Sequence, residues 1–215
     1  MPAGDLIFQR LELATDSELK AVARALDELE EFERVSTRPE KLDLLSRTLR
    51  SDAGSFLGNW GRSDHELAYT SILEDVVAKA AAAAEWSVPK YPSDTDVRRV
   101  EDYIVSAFTF ALTKEKSTKE QRKKAEAEAA RGLTATTPAS DSSSVSGTAV
   151  RAAMIAGQLL LKTNPYVLTA GVVSAVGLSI AWIASPAMRR VTPAVLVLIH
   201  IRRRLDAEAQ LQGAA

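Results

Sequence analysis

Few side chains in this sequence have the chemistry of a catalytic or metal site. The two histidines are His65 and His200, and there is no cysteine. His65 stands between Asp64 and Glu66, with Glu74 and Asp75 further along the same expected helix. Carboxylates with a single histidine make a weak metal set, because transition metals favour several imidazole or thiolate donors. His65 reads as a surface residue at a helix start. His200 interrupts an apolar run and reads as a satisfied core or interface residue. No HExxH, GxSxG, Walker-type or dinucleotide glycine motif occurs. The glycines of GSFLGNWGR, residues 54–62, match no phosphate loop. The lysine-rich run from Thr113 to Arg131 alternates with acids and lacks aromatic platforms, so it reads as a solvated face and not a nucleic-acid surface. The expectation is a protein that is not an enzyme and holds no cofactor or metal.

The chemistry that stands out is solvation. From Thr163 to Met188 the chain carries no charged side chain, although 26% of its residues are charged. Tyr166 to Ala184 reads YVLTAGVVSAVGLSIAWIA, and as a helix it would be roughly 28 Å long, close to a bilayer's hydrocarbon thickness. Gly171, Ala175 and Ser179 form a row of small residues spaced by four, which lets helix backbones approach closely in lipid and allows a homo-oligomer. Tyr166 and Trp182 lie near the two ends, where interfacial aromatics sit.

The net charge of −1 conceals an asymmetry. Residues 1–141 hold 20 basic and 26 acidic side chains, whereas residues 142–205 hold seven basic ones and no acid. Among these, Arg189 and Arg190 precede a second apolar run, Val191 to Ile201, and Arg202, Arg203 and Arg204 follow it. Basic clusters beside apolar segments attract anionic lipid headgroups. Complementing a helix dipole needs fewer cations than these. Lipid contact is therefore the favoured expectation, with packing of the basic end on the acidic body as the alternative.

The elements that would position these residues are helical. Four capping-box patterns, Thr15-x-x-Glu18, Thr37-x-x-Glu40, Ser63-x-x-Glu66 and Ser117-x-x-Glu120, mark helix starts. The spacing predicts helices over 16–34, 38–53, 64–86, 94–114, 118–131, 148–163, 166–184 and 193–209. Their apolar stripes are Leu19, Val22, Ala23, Leu26 and Leu29; Leu42, Leu45 and Leu49; Leu67, Ile72, Leu73, Val76 and Val77; and Val97, Val100, Ile104, Phe108 and Leu112. Pro165, Pro186 and Pro193 are expected to divide the end into three pieces. Residues 132–147, rich in Ser, Thr and Gly, read as a flexible linker. Pro89 and Pro92 mark a further break. The expected organisation is an all-α chain with an acidic head over 1–131, a linker over 132–147 and an apolar, basic module over 148–209, the last a possible membrane hairpin. MPAGDLIFQRLEL has no basic stretch followed by an apolar one, so the expected location is the cytoplasm or the cytoplasmic face of the inner membrane, without secretion.

Three segments together resemble the YaaW-like family, a bacterial family labelled ubiquinol–cytochrome c chaperone. Pro186, Ala187, Arg189, Pro193, Ala194, Val195 and Arg202 are similar to its PAYRVTIPAV segment and terminal basic residue. Gly54, Asn59 and Arg62, continuing to Tyr69 and Ile72 through Val76 with Asp75, resemble its loop and the strip that follows. The opening FQRLELATDSELKAVARAL resembles its first helix pattern. Trp182, Ser63, His65 and Ser71 depart from the family pattern. The resemblance implies a bacterial, helical, membrane-associated protein without catalysis.

Residues and resemblance together predict a membrane-associated interaction or assembly factor, chaperone-like, whose module meets anionic lipid and whose head recruits an unknown protein. Two alternatives stand beside it. One is a pore-forming or membrane-perturbing effector, and the other is a soluble helical protein with 166–184 as a buried core helix.

Overall fold

A computed structural model describes residues 5–54, 68–113, 118–134 and 186–213. The described residues are all-helical, in eight helices and no strand. These are α1 (Leu6–Glu12), α2 (Asp16–Ala25), α3 (Leu29–Arg34), α4 (Arg38–Gly54), α5 (Tyr69–Ala84), α6 (Val97–Thr113), α7 (Lys119–Thr134) and α8 (Pro186–Gly213). Among the described residues no helix is long and apolar enough to cross a membrane. The segment 166–184, with Tyr166, Gly171, Ala175, Ser179 and Trp182, lies outside the described residues, as do Asn59 and Arg62.

The chain forms two compact units, one from residues 1–72 with 181–215, the other from residues 73–180. The last helix belongs with the first four, and the chain between forms the second unit. The boundary falls inside α5, after Ile72.

Helix starts follow the capping chemistry. Thr15 Oγ1 accepts from the Glu18 N–H, and the Thr15 N–H donates to Glu18 Oε2 at 2.7 Å, a complete capping box. At the start of α4 Thr37 Oγ1 accepts from the Glu40 N–H at 3.4 Å and donates to Glu40 Oε2 at 2.6 Å. The box expected at Ser117 is displaced by one residue. The Thr118 N–H donates to Gln121 Oε1 at 2.8 Å, and Thr118 Oγ1 accepts from the Gln121 N–H at 3.3 Å. Ser63 lies outside the described residues. The short α1 had no periodic signal to announce it. Asp5 caps it, accepting from the Ile7 and Phe8 N–H groups.

Two expected helices end early, for one reason. The span 16–34 breaks into α2 and α3 because Asp27 takes a left-handed backbone, φ 64°. The Glu28 N–H then reaches back to the Ala23 carbonyl at 2.8 Å and the Asp27 N–H to that of Arg24 at 3.2 Å, closing a Schellman motif. Glu85, φ 60°, ends α5 alike, with the Trp86 N–H on the Ala81 carbonyl at 2.8 Å. Both positions hold an acid where glycine is usual.

The first unit's core takes Ile7 and Leu11 from α1, Leu19, Val22 and Ala23 from α2, Phe32 from α3, and Leu42, Leu45 and Leu49 from α4. To these α8 adds Met188, Val191, Ala194, Val195, Val197, Leu198, Ile199 and Ile201, and it packs against α1, α2 and α4. Pro193 does not divide this segment. α8 starts at Pro186, a position where the missing N–H costs nothing, and runs through Pro193 for 28 residues. A proline inside a helix costs about 3 kcal/mol. Burial of these side chains contributes on the order of 10 kcal/mol or more, so packing wins.

In the second unit Leu73, Val76, Val77, Ala80, Ala81 and Ala84 of α5 and Val100, Tyr103, Ile104, Ala107 and Phe108 of α6 are buried, while Leu112 is 43% exposed. Trp86 meets Tyr103 edge-on with centroids 5.9 Å apart and lies 5.2 Å from Phe110. α6 packs along α7, which is otherwise mostly solvated.

Candidate functional site at the carboxy-terminal helix

The charged residues that the sequence singled out converge on α8, and the fold gives several of them partners within the first unit. Arg204 lies near the end of the buried stretch. Its Nε donates to Glu18 Oε1 at 2.9 Å, and one terminal nitrogen donates to Glu18 Oε2 at 3.2 Å and to the Leu13 carbonyl at 3.0 Å. The other terminal nitrogen donates to Glu208 at 2.8 Å. Glu18 is buried and already serves the capping box of α2. One carboxylate thus finishes a helix start and receives a guanidinium fork from 186 residues away.

The α1–α2 corner is held from two directions. Helix carbonyls near a C-terminus lack intrahelical partners. The Leu13 carbonyl is met by Arg204, while Arg38 of α4 donates to the Glu12 and Ala14 carbonyls at 3.1 and 2.6 Å and to Asp16 at 2.9 Å. Arginine suits this work because its donors are fixed in a plane.

Electrostatics follow the geometry. Burial pushes the Glu18 carboxyl up, but hydrogen bonds from Arg204 and Thr15 outweigh it and hold it below the usual glutamate value. His200, with Nε2 3.8 Å from Glu18, is held below the usual histidine value by burial and by Arg204 and Arg203, against the pull of Glu18. Arg190 pairs with Asp52 of α4 at 3.3 Å, and burial raises the Asp52 carboxyl despite that cation. Arg202 pairs with Asp206 at 3.0 Å with its side chain 12% exposed. Arg203 is half-buried, and Arg189 is exposed.

The family-motif residues divide between the two units. Gly54 is the last residue of α4. Tyr69 opens α5 within the first unit and is buried. Its hydroxyl accepts from Arg10 at 2.7 Å, and the Arg10 guanidinium lies 4.7 Å from its ring centroid. Asp75 lies on α5 in the second unit. Sequence reading missed Arg10, Arg38 and the second role of Glu18. A buried arginine leaves no periodic trace, and the capping pattern at Glu18 was visible while its distant partner was not. Among the described residues no group of three or more potential metal ligands comes together. The arrangement fastens α8 to the α1–α2 corner.

No protein-family model, curated protein or solved structure matches the chain.

Proposed function

We propose that the protein is a non-catalytic, membrane-associated helical interaction or assembly factor, acting at the cytoplasmic face of a membrane. The observation that supports it best is the return of the chain: α8 packs against α1, α2 and α4. Residues 73–180 are therefore an excursion that leaves the first unit and comes back to it. A single crossing within 166–184 would strand α8 on the far side from the helices it packs against. Crossings in the excursion must be even in number, so a hairpin or an interfacial segment fits and a lone span does not. The uncharged Thr163–Met188 stretch supplies the apolar contact, and Arg189, exposed beside Pro186, supplies a cation for anionic headgroups. The helical units provide the surface for a protein partner, and the chaperone-like role rests on the YaaW-like resemblance alone.

A second reading has one observation in its favour. The neighbouring apolar run, Val191–Ile201, is spent on the core of a helical unit, and 166–184 would be spent in the same way in a soluble protein.

The test is fractionation of the untagged full chain and of an internal deletion lacking 148–184, with carbonate and detergent extraction. The deletion keeps α8, whereas truncation at 147 would remove a core helix. The proposal expects the full chain to pellet and the deletion to stay soluble. Release by detergent alone means insertion, and release by carbonate means interfacial contact. If both chains stay soluble, the membrane reading fails and the soluble one stands.

A further inference from the structure

We infer that the cavity between α2, α3 and the start of α4 is a binding site for a small aromatic carboxylate. The cavity holds about 360 Å³, within the size range of small-ligand sites. It lies wholly within residues 16–41 of the first unit, so it needs neither a membrane nor the second unit. Lys20, Arg38 and Lys41 line it, together with Asp16 and Ser36. Three cations thus share the wall with one carboxylate. Leu19 of α2 and Phe32 of α3 line it too, both from the core. The Lys41 ammonium lies 4.7 Å from the centroid of the Phe32 ring, so a cation rests on the aromatic face.

The charges of this wall are unequally spent. Asp16, its one acid, is taken by Arg38 at 2.9 Å. Arg38 also donates to the Glu12 and Ala14 carbonyls, which holds its guanidinium in place and uses three of its five N–H donors. Lys20 meets Glu33 at 3.5 Å, with both side chains about half exposed, so solvent weakens that pair. Lys41 is half-buried and has no ion pair among the described residues. The Ser36 hydroxyl is exposed and makes no hydrogen bond among them. A carboxylate answers these donors. It draws the Lys41 ammonium off the Phe32 ring, because a charge-assisted hydrogen bond is stronger than a cation–π contact near solvent. The long lysine stem permits that movement. The ligand's own ring then takes the vacated face of Phe32, where an aromatic pair replaces the cation. A bare inorganic anion would leave that face uncovered. A neutral ring would leave the Lys41 charge unanswered, and an aromatic amine would meet three cations.

The experiment titrates the full-length protein with benzoate, phenylacetate and phenylpropionate, following backbone amide shifts by NMR. Acetate, inorganic phosphate and phenethylamine serve as comparisons. At least one aromatic carboxylate should bind with a Kd on the order of 1 mM or tighter, and its shifts should cluster within residues 16–41. Acetate and phosphate should bind roughly tenfold more weakly, and phenethylamine not at all. Lys41→Met keeps an apolar stem over Phe32 and removes the charge. It should weaken binding by roughly tenfold or more while thermal unfolding of the free protein stays the same. Lys41→Arg should restore most of the affinity, and Ser36→Ala, at an exposed position, should lower it by about threefold. No binding by any of the three acids at about 10 mM would overturn the inference. So would equal binding of acetate or phosphate, equal binding by Lys41→Met, or shifts centred outside residues 16–41.

Discussion

The two compact units are built from the chain in opposite ways. The second is one run of chain, residues 73–180, and among its described residues α6 lies along α7, its neighbour in sequence. The first joins residues 1–72 to 181–215, and α8 arrives only after the second unit has been made. Their long-range ion pairs differ in the same sense. Arg122 meets Glu85 at 2.9 Å across 37 residues and near the surface, with both side chains more than a third exposed. Arg204 meets Glu18 at the same distance, but that carboxylate is 7% exposed and is also tied to a helix cap. A pair near the surface contributes little, and its loss is cheap. A buried pair is costly to break because the partner left behind keeps its charge. The first unit therefore depends on its last helix both for core burial and for the partner of a buried carboxylate.

The largest test of this contrast removes α8. A chain ending at residue 185 loses eight buried apolar side chains from the first unit, worth on the order of 10 kcal/mol, comparable to the whole stability of a domain. Amide hydrogen exchange should show α1–α4 unprotected while α6 and α7 keep their protection. Retained protection in α1–α4 would mean that the four helices form a unit without their closing element, and the contrast would collapse.

The next test compares the two ion pairs. Arg204→Ala is expected to destabilise the protein by about 2–4 kcal/mol, since it leaves Glu18 buried and the Leu13 carbonyl without its donor. Arg122→Ala should cost less than about 1 kcal/mol. Chemical denaturation of both variants reads the difference. Acid adds a signed readout. The folded Glu18 carboxyl lies below its ordinary value of 4.5, so the stability it contributes is present above that pH. That contribution is lost as pH falls through the folded value. Without Arg204 the burial penalty meets less opposition, the folded value rises, and acid unfolding should begin at higher pH.

Sequence pattern carried the units unevenly, and the reasons are physical. Leu42, Leu45 and Leu49 and the α5 stripe from Ile72 to Val77 are buried where their spacing placed them, because a helix facing a core must repeat at three and four. Thr15 with Glu18 and Thr37 with Glu40 cap as spaced, since a cap is decided within four residues. Helix ends were less legible. Asp27 and Glu85 turn the chain without the glycine that usually marks such a turn, and Pro193 sits inside a helix that packing keeps whole. The clamp at Glu18 was out of reach, because nothing local at Arg204 names a partner 186 residues away. The arginine row favours a lipid contact when read alone, and only the fold supplies the acid that Arg204 meets.

The smallest test uses the device that both units share. Asp27 and Glu85 hold left-handed backbone at the ends of α2 and α5, a conformation that costs an L-residue roughly 1–2 kcal/mol and glycine little. Glycine also loses more freedom on folding, so the net gain from Asp27→Gly is about 0.5–1 kcal/mol. Asp27 is exposed, and no ion pair among the described residues opposes that gain. Glu85→Gly relieves the same strain but forfeits the Arg122 pair, so its gain should be smaller by a few tenths of a kcal/mol. Thermal unfolding of the two variants orders them. If Asp27→Gly were the less stabilising, the turn between α2 and α3 would owe its shape to the Asp27 side chain, and the first unit would hold a local determinant that its backbone geometry does not reveal.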